Sequence, residues 1–169
     1  MRNMRRLELT EDLLTGVEDI DEHHRTLLEL GNRVINPSTY KTDGTIFEDA
    51  LKFLADYVIY HFAAEEYVMI ESNFPNYEHH RQWHERFKQE VSDCVNRAQT
   101  EGISKDLKLK VSFAIENWLL EHIRITDCSL AKFLQQQKDG TSMHLPSVRA
   151  LKDMGKLPGE FNELSMWTR

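Results

Sequence analysis

Seven side chains able to hold a metal ion are spread along the chain as His24, His61 with Glu65, His80 with His84, and His122 with Asp127. Each group falls in a stretch whose apolar spacing is helical, at positions where leucine would ordinarily face a core. A lone histidine on an apolar face is usually a packed core residue. Five histidines and two carboxylates facing one interior need a common reason. A shared cation supplies it, because neutral imidazole and carboxylate together suit iron, manganese, cobalt or zinc. Cys94 and Cys128 stand far apart in helical patterns, so neither thiolate ligation nor a disulfide framework is expected.

Seven ligands are too many for one ion. With Glu65 and Asp127 each bridging two ions, the side chains supply five nitrogen and four oxygen bonds, nine of the twelve positions around two octahedral ions. A bridging oxo or hydroxo group takes two more and leaves one position open for a small ligand. A structural zinc site would close with four protein ligands.

The elements that must position these groups are separated by breaks at Asn36-Pro37-Ser38 through Asp43-Gly44, at Ser72-Asn73-Phe74-Pro75-Asn76, at Glu101-Gly102 and at Asp139-Gly140. The intervals predict helices over 17–35, 45–71, 77–100 and 104–137. Short connections make neighbours antiparallel, so the expected fold is all-α, an up-down-up-down four-helix bundle with a C-terminal helical extension. Four seams emerge with spacings of three and four: Val17, Ile20, His24, Leu27, Gly31, Val34; then Phe47, Leu51, Leu54, Val58, His61, Glu65, Val68; then His80, His84, Phe87, Val91, Cys94, Ala98; then Leu107, Val111, Ile115, Trp118, His122. Asp127 breaks the rule. Five residues after His122 is about 140° around a regular helix. A bulge of wider winding, or a side chain reaching sideways to a second ion, is therefore predicted there.

Of the 169 residues, 1–137 are expected to form one domain with an N-terminal arm, and 138–169 an extension. A net charge of -7 argues against sequence-independent binding to nucleic acid or an anionic membrane. The basic start, MRNMRRLELTED, lacks the apolar core of a signal peptide, and no apolar run is long enough to span a bilayer, so a cytoplasmic location is expected. In the extension Val148, Leu151, Met154, Leu157, Phe161, Leu164 and Trp167 recur at helical intervals. They are expected to pack on the protein's own bundle; the other possibility is docking to another subunit or protein, with Trp167 as anchor.

The segments TGVEDIDEHH, HFAAEE followed by Met69, FPNYEHHRQWHERF and WLLEHIRITD resemble, in order, the four motifs of bacterial hemerythrins, over roughly residues 7–135. The resemblance implies a non-heme di-iron centre that binds dioxygen reversibly. His80, His84 and His122 would hold one iron, His24 and His61 the other, and Glu65 and Asp127 would bridge them. Leu28, Trp83, Trp118 and Leu119 are the expected apolar wall of the ligand pocket, with Leu119 nearest the gas. Three departures stand out: His23 where glutamine is usual, Leu9 where many members have tryptophan, and the extension beyond 138. His23 and His79 lie off the seam and are expected either to face solvent or to bond a ligand's outer nitrogen. His144 has no metal partner in view.

The expected function is therefore oxygen storage, buffering or delivery by a protein that is not an enzyme. Imidazole-rich ligation leaves a small net positive charge on two ferrous ions and stabilises high-valent iron poorly. A sensor of oxygen, redox state or nitric oxide acting through a partner is one alternative; a di-iron peroxidase or oxidase is another. Ferritin-like enzymes use Glu-x-x-His pairs. The residues three before the eight histidines include no glutamate.

Overall fold

The computed structural model describes residues 6–36, 44–137 and 144–158. Its first helix, α1 (Glu18–Ile35), starts where Gly16 turns the chain at φ +76°. Just inside the helix, the buried Asp21 carboxylate accepts from the Thr15 N–H at 2.8 Å, the Thr15 hydroxyl at 2.7 Å and the Gly16 N–H at 3.1 Å. Glu18 and Asp19 share that first turn, where negative charge favours the helix N-terminus. The spacing of Thr, Gly and Asp in TGVEDID is thus the geometry of one folded-back turn.

Three more rods follow: α2 (Gly44–Glu71), α3 (Tyr77–Glu101) and α4, residues 105–136. Between α2 and α3 the chain reverses through Asn73, at φ +55°, with the Phe74 N–H donating to the Met69 carbonyl at 2.9 Å. The Ser104 hydroxyl caps α4 by accepting from the Leu107 N–H at 3.0 Å. Each rod packs on its neighbour in sequence, and α1 also packs on α4, which closes the four into an antiparallel bundle. The four predicted helices agree with these bounds to within one residue at either end.

The seams face inward as the spacing required. All seven α2 seam residues and all six on α3 are buried. So are Ile20, His24, Leu27, Gly31 and Val34 on α1, and Leu107, Val111, Ile115 and His122 on α4. Val17 and Trp118 are half-buried. Gly31 lies close against α4: a Cβ there would stand 3.0 Å from Ile115 Cγ2.

α4 is not uniform. It passes from Lys105–Phe113 into a π-wound stretch, Ala114–Leu119, regains α-winding over Leu120–His122, winds wide again over Ile123–Asp127, and finishes as Cys128–Gln136. The second wide stretch is the bulge predicted from the spacing of His122 and Asp127. Winding with i→i+5 bonds carries a residue five positions on back over the same face.

The chain on either side braces the bundle. The buried Asn32 amide donates to the Leu7 carbonyl and accepts from the Leu7 N–H, both at 2.8 Å, clasping the arm as a strand partner would. Helix α5 (Val148–Asp153) lies against α2 and buries Val148, Leu151 and the nearby Leu157 in the bundle's core, while Met154 stays exposed. Before it, the Asp19 carboxylate accepts from the Leu145 N–H at 3.1 Å and meets His144 Nδ1 at 2.9 Å. Phe161, Leu164 and Trp167, and the breaks at 37–43 and 139–140, lie outside the described residues.

Gly16 yields a test of the opening turn. An alanine there holds an L side chain in the left-handed region, which costs about 1–2 kcal/mol. Its Cβ also meets Gln135 Nε2 at 2.8 Å, the end of a flexible side chain that can move aside. Gly16→Ala should lower the urea midpoint by the equivalent of that cost; an unchanged midpoint contradicts the account.

Candidate metal centre

The bundle brings all seven predicted ligands to one point. His24, His61, Glu65, His80 and His84, His122 and Asp127 are each at most 1 % exposed. Pairs four apart on one rod, His61 with Glu65 and His80 with His84, share a face because the helix returns every 3.6 residues. Asp127 joins them through the wide turn: its Oδ1 stands 2.9 Å from His122 Nε2 and 3.1 Å from His80 Nε2, while its Oδ2 stands 3.0 Å from His24 Nε2.

Glu65 divides in the same way. Its Oε2 lies 3.3 Å from His84 Nε2 and 3.5 Å from His80 Nε2, and its Oε1 lies 3.7 Å from His61 Nε2. Each carboxylate therefore turns one oxygen to His80, His84 and His122 and the other to His24 or His61. The donor atoms form two groups that could each hold an ion: Glu65, His80, His84, His122 and Asp127, and then His24, His61, Glu65 and Asp127, with ligand atoms within 4.8 Å of one another in each group.

The chemistry of the donor set fits cations at these two places. Both Glu65 oxygens, His61 Nε2 and His80 Nδ1 are buried with no hydrogen-bond partner among the described residues, and Asp127 Oδ1 and His80 Nε2 face each other at 3.1 Å as an ion pair. Unpartnered buried polar atoms are costly, and several of them converging on one space are accounted for by ions bound there. Burial pushes His61 and His84 well below the usual histidine range, so both are neutral and carry a lone pair to coordinate with. Burial and the neighbouring Asp127 raise the Glu65 carboxyl.

His80 and Asp127 shift the opposite way. Burial alone would push His80 down, yet Asp127 and Glu65 beside it raise it to about 9. Burial would raise Asp127, but His122, His24 and His80 hold it well below the usual carboxylate range. In the protein without metal, the positive charge the two carboxylates need is thus supplied by a proton on imidazole. A metal ion entering the site displaces it.

Around the ligands the structure shows features that were not foreseen. His84 Nδ1 donates to Glu66 Oε1 at 2.9 Å, which leaves its Nε2 lone pair directed inward. Phe62 stacks on the His84 ring at 3.8 Å and 6°. Trp118 stacks on His122 at 4.8 Å and on Phe87 at 4.2 Å. Of the four wall candidates, Leu28 and Leu119 are buried one turn from His24 and His122, and Trp118 and Trp83 are half-buried, with the Trp83 ring 6.5 Å from His122. His23 is half-buried with its Nδ1 3.3 Å from His61 Nδ1, whereas His79 is exposed. His144 is exposed and pairs with Asp19, away from the ligands. Cys94 and Cys128 are free thiols.

Comparison with known proteins agrees with this geometry. Residues 15–134 match the family model described as the hemerythrin HHE cation binding domain. The chain is similar to the bacteriohemerythrin of Pseudomonas aeruginosa, 33% identical over 125 residues that cover 73% of this chain and 78% of that protein. It is similar to that of Stenotrophomonas maltophilia, 33% identical over 122 residues, 72% of this chain and 76% of the other. A hemerythrin-like protein of Naegleria gruberi is 30% identical over 113 residues, 66% and 80%. No solved structure matches significantly.

Glu65 belongs to both ligand groups, so its removal bears on both ions. Glu65→Leu should reduce bound metal below two equivalents per chain by elemental analysis. A variant that keeps both equivalents contradicts the assignment.

Proposed function

Since the chain belongs to the hemerythrin HHE cation-binding family, we propose that it is a non-heme di-iron protein that binds dioxygen reversibly, for storage, buffering or delivery, and that it binds rather than turns over its ligand. One observation carries the reading: each of two buried carboxylates divides its oxygens between a group of three histidines and a group of two. His80, His84 and His122 would hold one ion, His24 and His61 the other, and Glu65 and Asp127 would serve both. The unequal histidine count would leave the second ion a position to offer a small ligand. When bound, the iron pair supplies two electrons and that open position. The similarity to bacteriohemerythrins supports this reading.

The chain's own residues favour binding over turnover. The ligand nitrogens come from imidazoles, and only two carboxylates offset the charge of two cations, an arrangement that stabilises high oxidation states less than a carboxylate-rich one does. Leu28, Leu119 and Ile123 are buried to 2 % exposure or less, which keeps water and stray protons from the ligand side. Among the described residues no helix is long and apolar enough to cross a membrane.

Sensing through a partner is a second reading. It draws support from the extension, whose 144–158 stretch is hydrogen-bonded to α1 and α2.

The test is anaerobic reduction of iron-loaded protein followed by air. A visible band that appears with oxygen and disappears under vacuum, at two irons per chain, is expected; irreversible bleaching would instead assign an oxidase or peroxidase. Leu119→Ala should cost about 2–5 kcal/mol of stability and speed spontaneous oxidation in air. An unchanged oxidation rate removes Leu119 from the wall.

A further inference from the structure

Three hydrogen-bond distances connect the extension to a ligand. The Tyr60 hydroxyl lies 3.3 Å from the Pro146 carbonyl, His23 Nε2 lies 3.3 Å from the Tyr60 hydroxyl, and His23 Nδ1 lies 3.3 Å from His61 Nδ1. We infer that the segment around Pro146 is a positioning element for His61, acting through Tyr60 and His23 to hold the ring tautomer that turns the His61 Nε2 lone pair into the metal centre.

The direction of each bond follows from the one before it. A carbonyl can only accept, so Tyr60 gives its proton to Pro146 and becomes the acceptor for His23 Nε2–H. A neutral imidazole carries one N–H, so His23 Nδ1 is left as an acceptor. His61 must then carry its proton on Nδ1 and its lone pair on Nε2, the atom aimed at Glu65 and without a hydrogen-bond partner. Reversing the chain, with Tyr60 donating to His23, would move the His61 proton to Nε2 and block coordination.

The surroundings hold both ends still. The His23 ring sits 5.0 Å from that of Tyr60 and 5.8 Å from that of Tyr57. Pro146 is fixed on one side by the Leu145 N–H on Asp19 and on the other by Ser147, whose hydroxyl accepts from the Ala150 N–H at the start of α5. A histidine at position 23 can present either face of its tautomer pair and so needs an outside acceptor to choose. A glutamine there would offer His61 a carbonyl oxygen without help.

This inference rests on the di-iron reading, and its test keeps the two apart. In full-length ¹⁵N-histidine-labelled protein without metal, long-range ¹H–¹⁵N spectra report the His61 tautomer directly. In ferrous-loaded protein, release to a chelator reports how each iron is held. Wild type should show a single Nδ1–H tautomer. Tyr60→Phe should show a mixture and should lose one of its two irons about 10-fold faster, the usual scale for removing an outer partner of a metal ligand. His23→Gln should restore the single tautomer even when combined with Tyr60→Phe, a rescue that general loosening would not produce. A chain ending at Gln137 should match Tyr60→Phe; if that truncation fails to fold, the point variants decide. A single tautomer in Tyr60→Phe, or equal acceleration of both irons in every variant, overturns the proposal. Fewer than two irons in wild type overturns the di-iron reading alone, since the tautomer is measured without metal.

Discussion

Two carboxylates buried within reach of the same histidines, with no solvent to screen them, set the terms for the rest of the molecule. Glu65 and Asp127 repel each other in a low-dielectric interior, and among the described residues neither meets a lysine or arginine there. The positive charge must come from a bound ion or from a proton on imidazole, and the upward shift of His80 and downward shift of Asp127 favour the second when no ion is bound. Such a site needs walls on every side, which one amphipathic helix cannot supply. Four rods, each giving one stripe, enclose it. The arm clasped by Asn32 and the packed α5 add burial at the edges of the same core.

The wide turns of α4 follow from that demand. Two rods meet the site with ligands four residues apart, and α1 with one ligand alone. The fourth must present His122 and Asp127 together, which regular winding forbids. Widening the helix over Ile123–Asp127 satisfies the geometry while keeping most backbone hydrogen bonds. A π-wound stretch at this place is thus a cost in helix regularity accepted for the sake of one carboxylate oxygen 2.9 Å from His122.

That irregularity was legible because it left a numerical trace: five residues where the seam calls for three or four. The helix bounds and seams were legible for the same reason, as spacing is a property of one chain segment read alone. The first wide stretch, Ala114–Leu119, left no such trace, because Val111, Ile115, Trp118 and His122 keep an ordinary rhythm. Contacts between rods were also hidden. Glu66 follows Glu65 and reads as a solvated position, and only the rotation of α3 against α2 puts it on His84. Tyr60 and Phe62 flank His61 with nothing in their spacing to reveal that one reaches Pro146 and the other stacks on His84. His23 is the intermediate case: its place beside a ligand was visible, its acceptor was not.

The two histidine groups are held by different balances of forces. On the three-histidine side two imidazoles lie against flat apolar surfaces, Phe62 on His84 and Trp118 on His122, with Phe87 stacked behind Trp118, and His84 adds one hydrogen bond to Glu66. Stacking fixes the planes of the rings. On the two-histidine side His61 relies on hydrogen bonds to His23 and beyond, and these are directional: they fix where a proton sits as well as where a ring lies. A largely apolar clamp suits the ion that would take five protein ligands. A polar, adjustable one suits the ion proposed to exchange a ligand, because small movements of its outer partners alter the basicity of the imidazole, and with it the hold on whatever occupies the remaining position.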